Sequence, residues 1–286
     1  MKFTTSAPSS PARAGASPDE RATRLPGRGP RWEGSATAVP GLLAFTGAIG
    51  SAEPHAHAAV QALLVFGGEV VLRDGRGHRR RVQAAIIPAG VRHELRASPD
   101  SFGLLAYLDP TGPAGRAATA RAAASGEADA VSTWQAAALP LAATAGVTAG
   151  VTGPAELSSV LCSTVPSAGT GDFPAALSRA LQAVPLLVDG PLLLDDLAAR
   201  AGVSASRLGH LFAEHLHLPY PAWRRWTRLL HAIQAVRGGA TLTRAAHAAG
   251  FADSAHLSRT CRAMFGITPS QALAATGWNT AAHGRR

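Results

Sequence analysis

Two histidines separated by one residue, His55 and His57, have the type and spacing to do chemistry in this chain. Residues two apart on a strand share a face, so both imidazoles point into the same space. Imidazole suits Zn, Fe, Ni or Cu, and geometry chooses among them. Gln61 lies on that face if the strand runs on unbroken, but a neutral amide is a poorer ligand than a carboxylate. A third histidine closes the run Pro88-Ala89-Gly90-Val91-Arg92-His93. Elsewhere the chain lacks a nucleophile motif of the G-x-S-x-G kind, a P-loop and a dinucleotide fingerprint.

Gly50, His55-x-His57, Gln61 and Gly68, followed by Pro88-x-Gly90-x-x-His93, resemble the two motifs of the cupin superfamily, a small jelly-roll barrel. Gln61 stands where the first motif usually has Glu, and Ala97 where the second usually has Asn. The resemblance implies that His93 enters the same cavity from a neighbouring strand. Two readings stay open. Either His55, His57, His93 and Gln61 hold a divalent metal as cofactor or effector, or the same four side chains hydrogen-bond a small-molecule effector and one another. In both they are the effector-binding candidates.

The elements that must position these residues read as short strands. Val60–Phe66 stops at Gly67-Gly68, and Glu69–Leu72 stops at Asp74-Gly75, a hairpin signal. Ala85–Ile87 ends at Pro88, and Phe102–Leu108 ends at Asp109-Pro110. Many short strands between turn signals argue a sandwich or barrel. His78 and Arg79-Arg80-Arg81 read as a solvated hairpin arm. Residues 1–35, rich in Ser, Pro, Ala, Gly and Arg, are expected to be a disordered tail. The Ala-rich region 111–176 is expected to hold helices near Arg116–Ala124 and Val131–Ala138 and then a linker.

A second constellation lies in the last third. Leu193–Ser204 and Thr241–Asp253 each read as a short helix, a Gly suited to positive φ, one apolar residue, and a Ser or Asp cap on a second helix. Ala198, Ala201, Ala246 and Ala249 are small enough for helices to cross closely. Between the units, Pro221 fits a first helical turn, and Trp223, Trp226, Leu229, Leu230, Ile233 and Val236 recur at helical spacing until Gly238-Gly239. Ser204 and Asp253 are placed to cap the second helix of each unit. Leu208, Leu211 and Phe212 then face inward in the first, and Leu257 and Cys261 in the second.

Gly250-Phe251, Asp253, His256-Leu257-Ser258-Arg259 and Phe265-Gly266-Ile267-Thr268-Pro269-Ser270 resemble the signature of the AraC/XylS family of transcription regulators. Val203-Ser204, Ser206, Leu208, Leu211-Phe212 and Pro221 resemble its degenerate first half. Cys261 and Leu257 replace usual aromatics, and Ala213 and Ala263 replace common basic residues. The resemblance implies that Ser206, Arg207, His210, Ser254, Ser258, Arg259 and Arg262 face DNA, with Arg207 and Arg259 reading guanine bidentately. The alternative for Arg259 is an ion pair with Asp253. Arg224, Arg225 and Arg228 are placed on the outer side of the connecting helix, towards phosphates.

Charge agrees with a nucleic-acid partner. From Leu177 onward there are 12 Arg against 5 acidic residues, a balance of +7, while the rest of the chain carries +2 of the net +9. Cys162 and Cys261 follow no metal or redox spacing and fit a reducing cytosol. No apolar run reaches the ~18 residues of a membrane helix, so the chain reads as cytoplasmic, with no membrane partner.

The expected fold class is α+β and multidomain: a cupin-like jelly-roll barrel over 36–110, dimerisation helices and linker over 111–176, an all-α tandem helix-turn-helix domain over 177–278, and tails at 1–35 and 279–286. The expected function is a homodimeric, non-enzymatic regulator that binds an operator in double-stranded DNA under control of a small molecule or metal, with RNA polymerase as a further partner. The alternatives are a metal-dependent cupin dioxygenase or isomerase fused to a DNA-binding module, and a non-specific architectural DNA binder.

Overall fold

The structure is a computed structural model that describes residues 31–39, 41–139, 141, 154–163 and 173–277. Most of the expected tails and much of the Ala-rich linker lie outside these residues. Nine strands come first: β1 (Glu33–Val39), β2 (Leu42–Ala48), β3 (Ala52–His55), β4 (Val60–Gly67), β5 (Val70–Asp74), β6 (Arg79–Val82), β7 (Ala84–Ile87), β8 (His93–Ala97) and β9 (Phe102–Leu108). They form two antiparallel sheets, β1-β2-β9-β4-β7 and β3-β8-β5-β6. The expected barrel is not closed: the two sheets pack against each other through a shared core, and no strand pairing joins them among the described residues.

β4 explains why its sequence looks uniformly apolar. Val60, Ala62 and Leu64 face outward, where Ala118, Ala122, Ala137, Leu157 and Leu161 cover them. Those residues belong to α1 (Pro113–Ser125), α2 (Val131–Ala137) and α3 (Pro154–Ser163). Leu63 faces the other way, into a core shared with Val70, Leu72 and Leu95 of the smaller sheet. Both faces are buried, so the alternation that marks a half-exposed strand disappears. Asp74 ties the layers together. Its carboxylate accepts from the Arg76 and His78 amides at 3.0 and 2.9 Å, closing the β5–β6 turn, and from the Val131 amide at the start of α2 at 3.3 Å. Arg79, Arg80 and Arg81 are exposed on the edge strand β6, where charge discourages further pairing.

β1 begins at Glu33, inside the stretch that composition assigned to a tail. Glu33, Gly34 and Ser35 carry no strand signature, but they pair with β2 in one register that runs from Glu33 opposite Ala48 to Val39 opposite Leu42. Partner backbone outweighs local composition here.

The C-terminal part is helical: α4 (Ala175–Ala183), a short 3-10 turn (Val184–Leu186), α5 (Leu194–Ala201), α6 (Ala205–Leu216), α7 (Tyr220–Arg237), α8 (Leu242–Ala248), α9 (Ser254–Phe265) and α10 (Pro269–Thr276). Ser204, Thr241, Asp253 and Thr268 each accept from a backbone amide three residues on, which sets the starts of α6, α8, α9 and α10. Gly202 and Gly250, at φ of 68° and 71°, make the two sharp turns. Ala198, Ala201, Ala246 and Ala249 are all buried where the helices meet.

The two parts are not independent. Leu43 and Tyr107 lie on the inner face of the larger sheet, and they pack into the core of the C-terminal helices with Trp226, Leu257 and Phe265. The Arg237 guanidinium donates to the Ala38 carbonyl of β1. The C-terminal helices therefore cover the end of the larger sheet's inner face nearest β1. Among the described residues no helix is long and apolar enough to cross a membrane.

Candidate DNA-binding and effector sites

The two recognition helices, α6 and α9, bury one face and present the other. In α6, Leu208, Leu211 and Phe212 are buried, and Ser206, Arg207 and His210 are exposed. In α9, Leu257 and Cys261 are buried, Arg259 and Arg262 are exposed, and Ser254 and Ser258 are partly exposed. Asp253 is occupied as the cap of α9, its carboxylate accepting from the His256 amide at 2.6 Å. No ion pair joins it to Arg259 among the described residues, so that guanidinium stays on the outward face. Arg224 is partly exposed and Arg225 exposed on α7.

Arg228 departs from expectation. It is 6% exposed, its Nε donates to the Ala249 carbonyl at 2.7 Å, and its guanidinium lies 4.7 Å over the Phe251 ring. Burial, followed by the charge of Arg224, lowers its pKa. This arginine clamps α7 to the turn between α8 and α9 and does not face phosphates. A Cβ on Gly250 would stand 2.9 Å from its Nη2 atom, so that turn needs glycine for room as well as for φ. Helical spacing misplaced Arg228 because α7 is buried over a wide arc, from Tyr220 and Trp223 through Trp226 and Leu229 to Val236.

The histidines converge by a route different from the one spacing suggested. β3 ends at His55, so His57 lies beyond the strand and Gln61 arrives on β4 of the other sheet. His55 pairs directly with His93 across β3 and β8, which sets their ring centroids 4.2 Å apart. His55, His57, Gln61 and His93 are 3%, 2%, 1% and 1% exposed. The Nδ1 atoms lie 2.7, 2.8 and 2.9 Å from the carbonyl oxygens of Glu53, Ala59 and Val91. A carbonyl only accepts, so each Nδ1 carries the proton and each neutral ring keeps its lone pair on Nε2. Burial lowers all three pKa values, to about 4 for His55, and the neighbouring rings lower those of His55 and His93 further.

That tautomer decides what fits. The Nε2 atoms of His57 and His93 face Gln61 Oε1 at 2.9 and 3.1 Å, and His55 Nε2 is buried with no partner. Three lone pairs and an amide oxygen in one buried space fit a cation, which accepts all four. Turning the Gln61 amide gives donors to His57 and His93 and still leaves His55 Nε2 unmatched. The donor set therefore suits an imidazole-bound divalent ion or a ligand with its own hydrogen-bond donor.

The sequence reading missed a second space altogether. A cavity of about 130 Å³ lies between the sheet and the C-terminal helices, walled by Leu43, Phe45 and Tyr107 on one side and Leu229, Leu257 and Phe265 on the other. None of the described residues lining it is charged. Burial pushes the Tyr107 hydroxyl pKa up, a direction that keeps it neutral. No pattern in sequence marks these residues, since each reads locally as ordinary core.

Exposed, capped recognition helices joined by a long buried helix and set behind a double sheet define a two-domain DNA-binding protein. The family model described as "Helix-turn-helix domain" matches residues 197–275. Crystal structures of ToxT from Vibrio cholerae are similar over most of the chain. One at 1.65 Å shows 12% identity and a TM-score of 0.53 over 82% of this chain and 99% of that one. The unsaturated fatty acid bound wild-type form shows 11% identity and a TM-score of 0.51 over 87% and 99%. At this identity the likeness concerns the fold. A regulator from Chromobacterium violaceum, described as containing an AraC-type DNA-binding domain, shows 29% identity over 38% of this chain and 95% of that one, with a TM-score of 0.33. No curated protein matches the chain. The chain carries a helix-turn-helix domain at its C-terminal end, behind an antiparallel sheet-rich domain.

Proposed function

We propose that the protein is a sequence-specific transcription regulator whose operator binding is set by a ligand in its N-terminal half. The observation that carries this reading is the pair of capped recognition helices, each with arginine outward: Arg207 on α6, Arg259 and Arg262 on α9. Arg207 and Arg259 are assigned to base edges, with Arg224 and Arg225 on phosphates. His55, His57, His93 and Gln61 are the effector site, for a divalent ion or a hydrogen-bonding small molecule. The apolar cavity against α9 favours a second form of control, by a small neutral molecule. A fatty acid bound to ToxT makes small-molecule control a natural expectation for this architecture.

The protein acts as a cytoplasmic homodimer on DNA, with RNA polymerase as a further partner, and not as an enzyme. Gln61 in place of a carboxylate weighs against the reading as a metal-dependent cupin enzyme. Selection of duplexes from a random-sequence library by the full chain tests the proposal. Enrichment of one motif, with affinity falling steeply between low and physiological salt, is the expected result. Equal affinity for all sequences would leave only an architectural binder.

A further inference from the structure

Two sets of contacts link the histidine cluster to the second recognition helix. The first contact runs through the segment that carries His55 and His57. The Ala56 amide donates to the Ala263 carbonyl of α9 at 3.3 Å. Gly266, which ends α9 at φ 69°, packs so closely on the same segment that a Cβ there would stand 2.7 Å from the Glu53 carbonyl oxygen. The second contact runs through Tyr107. Its ring meets His57 edge-on at 5.1 Å and Phe265 of α9 at 4.9 Å. Both contacts reach the last turns of a helix whose earlier turns carry Ser254, Ser258 and Arg259.

The cluster is also tied to main chain. One ring nitrogen from each histidine lies within 4.8 Å of one from each of the others, close enough for one ion to engage all three. Any shift of a ring on filling is passed to main chain, because each Nδ1 donates to a carbonyl. For His55 that carbonyl belongs to Glu53, the residue packed against Gly266.

We propose that α9 reads the occupancy of the histidine cluster through the Glu53–Ala56 segment and Tyr107, so that a divalent transition-metal ion held by His55, His57, His93 and Gln61 changes DNA affinity. The inference rests on the reading of the chain as a ligand-controlled DNA-binding regulator. Binding energy spent differently in two arrangements of the domain contact is what couples the sites, and such couplings are typically about 5–150-fold.

The test uses the full chain, stripped by chelation and then reloaded with Co²⁺ or Zn²⁺ alone, together with a duplex selected from a random library by the same protein. Expected are one ion per chain, a visible Co²⁺ absorption band, and at least a five-fold difference in DNA affinity between stripped and loaded protein. Tyr107→Leu and Phe265→Leu should retain the absorption band and lower the affinity ratio below that of the wild-type chain. Where Tyr107→Leu fails to fold, Phe265→Leu decides from the other side of the contact. Absence of metal uptake overturns the inference, as do uptake with equal DNA affinity and a wild-type ratio in the folded variants. In each of those cases DNA selection stands and the regulator reading survives. Failure to enrich any duplex overturns both.

Discussion

Replacing Arg228 by alanine separates two roles that look alike in sequence. In the folded protein this guanidinium donates to the Ala249 carbonyl and lies over the Phe251 ring, shielded from solvent. A hydrogen bond from a charged donor contributes about 1.5–3 kcal/mol. The ring contact adds about 0.5–2 kcal/mol. These terms are not additive in full, so Arg228→Ala is expected to cost about 2–4 kcal/mol of stability. Denaturant titration of the full chain, followed by tryptophan fluorescence, reads this loss, since Trp223 and Trp226 share the same core. The dependence of DNA affinity on salt reads the other role. Each phosphate contact contributes about 0.9 to the slope of log affinity against log salt for duplex DNA, and Arg228→Ala should leave that slope unaltered. Arg225→Ala, at an exposed site on the same helix, should lower the slope and leave stability unchanged. A slope reduced by about one in Arg228→Ala, with wild-type stability, would refute the clamp.

Two further outcomes are expected. Arg207→Ala and Arg259→Ala should each reduce discrimination between the selected duplex and a scrambled one by about 1–3 kcal/mol, measured by competition binding; an equal loss on both duplexes would assign them to phosphates. For chelated protein, acid should erode stability through the histidine cluster. His55 titrates at about 4 when folded against 6.5 when free, so the unfolded chain binds the extra proton between those values. Stability is full above about pH 6.5, declines as pH falls towards 4, and is lower by about 3 kcal/mol below that, read as melting temperature against pH. His55→Gln should flatten that dependence, and an unchanged profile in the variant would place the titration elsewhere.

How far the fold could be read from sequence depended on whether local signals agreed with tertiary contacts. The strands ending at Gly67-Gly68 and Asp74-Gly75 were legible because turn chemistry and apolar runs coincide there. The two helix-turn-helix units were legible because Ala198, Ala246, Gly202 and Gly250 are demanded by backbone geometry rather than by distant partners. The grouping of His55, His57, Gln61 and His93 was likewise visible, although β3 ends before His57 and Gln61 comes from the opposite sheet. β1 escaped because its small and polar residues take their strand conformation from β2. Arg228 escaped because charge suggests an outward side chain, and only the folded turn at Ala249 offers it a buried acceptor. The contact between the two domains left no trace, since Leu43, Tyr107 and Phe265 have the same character whether they face their own domain or another.

The seating of Leu43 and Tyr107 against Trp226 and Phe265 also bears on how such proteins can be recombined. Hybrid regulators are commonly imagined by cutting between a sensing half and a DNA-reading half and joining halves from different sources. Here the cut would pass through shared core. A foreign DNA-reading half must supply a surface matching Leu43 and Tyr107, a donor for the Ala38 carbonyl in place of Arg237, and a helix end that accepts Glu53 and Ala56 as Gly266 and Ala263 do. The two halves are therefore constrained to change together at this seam, while the outward faces of α6 and α9 remain free to acquire new operator preferences.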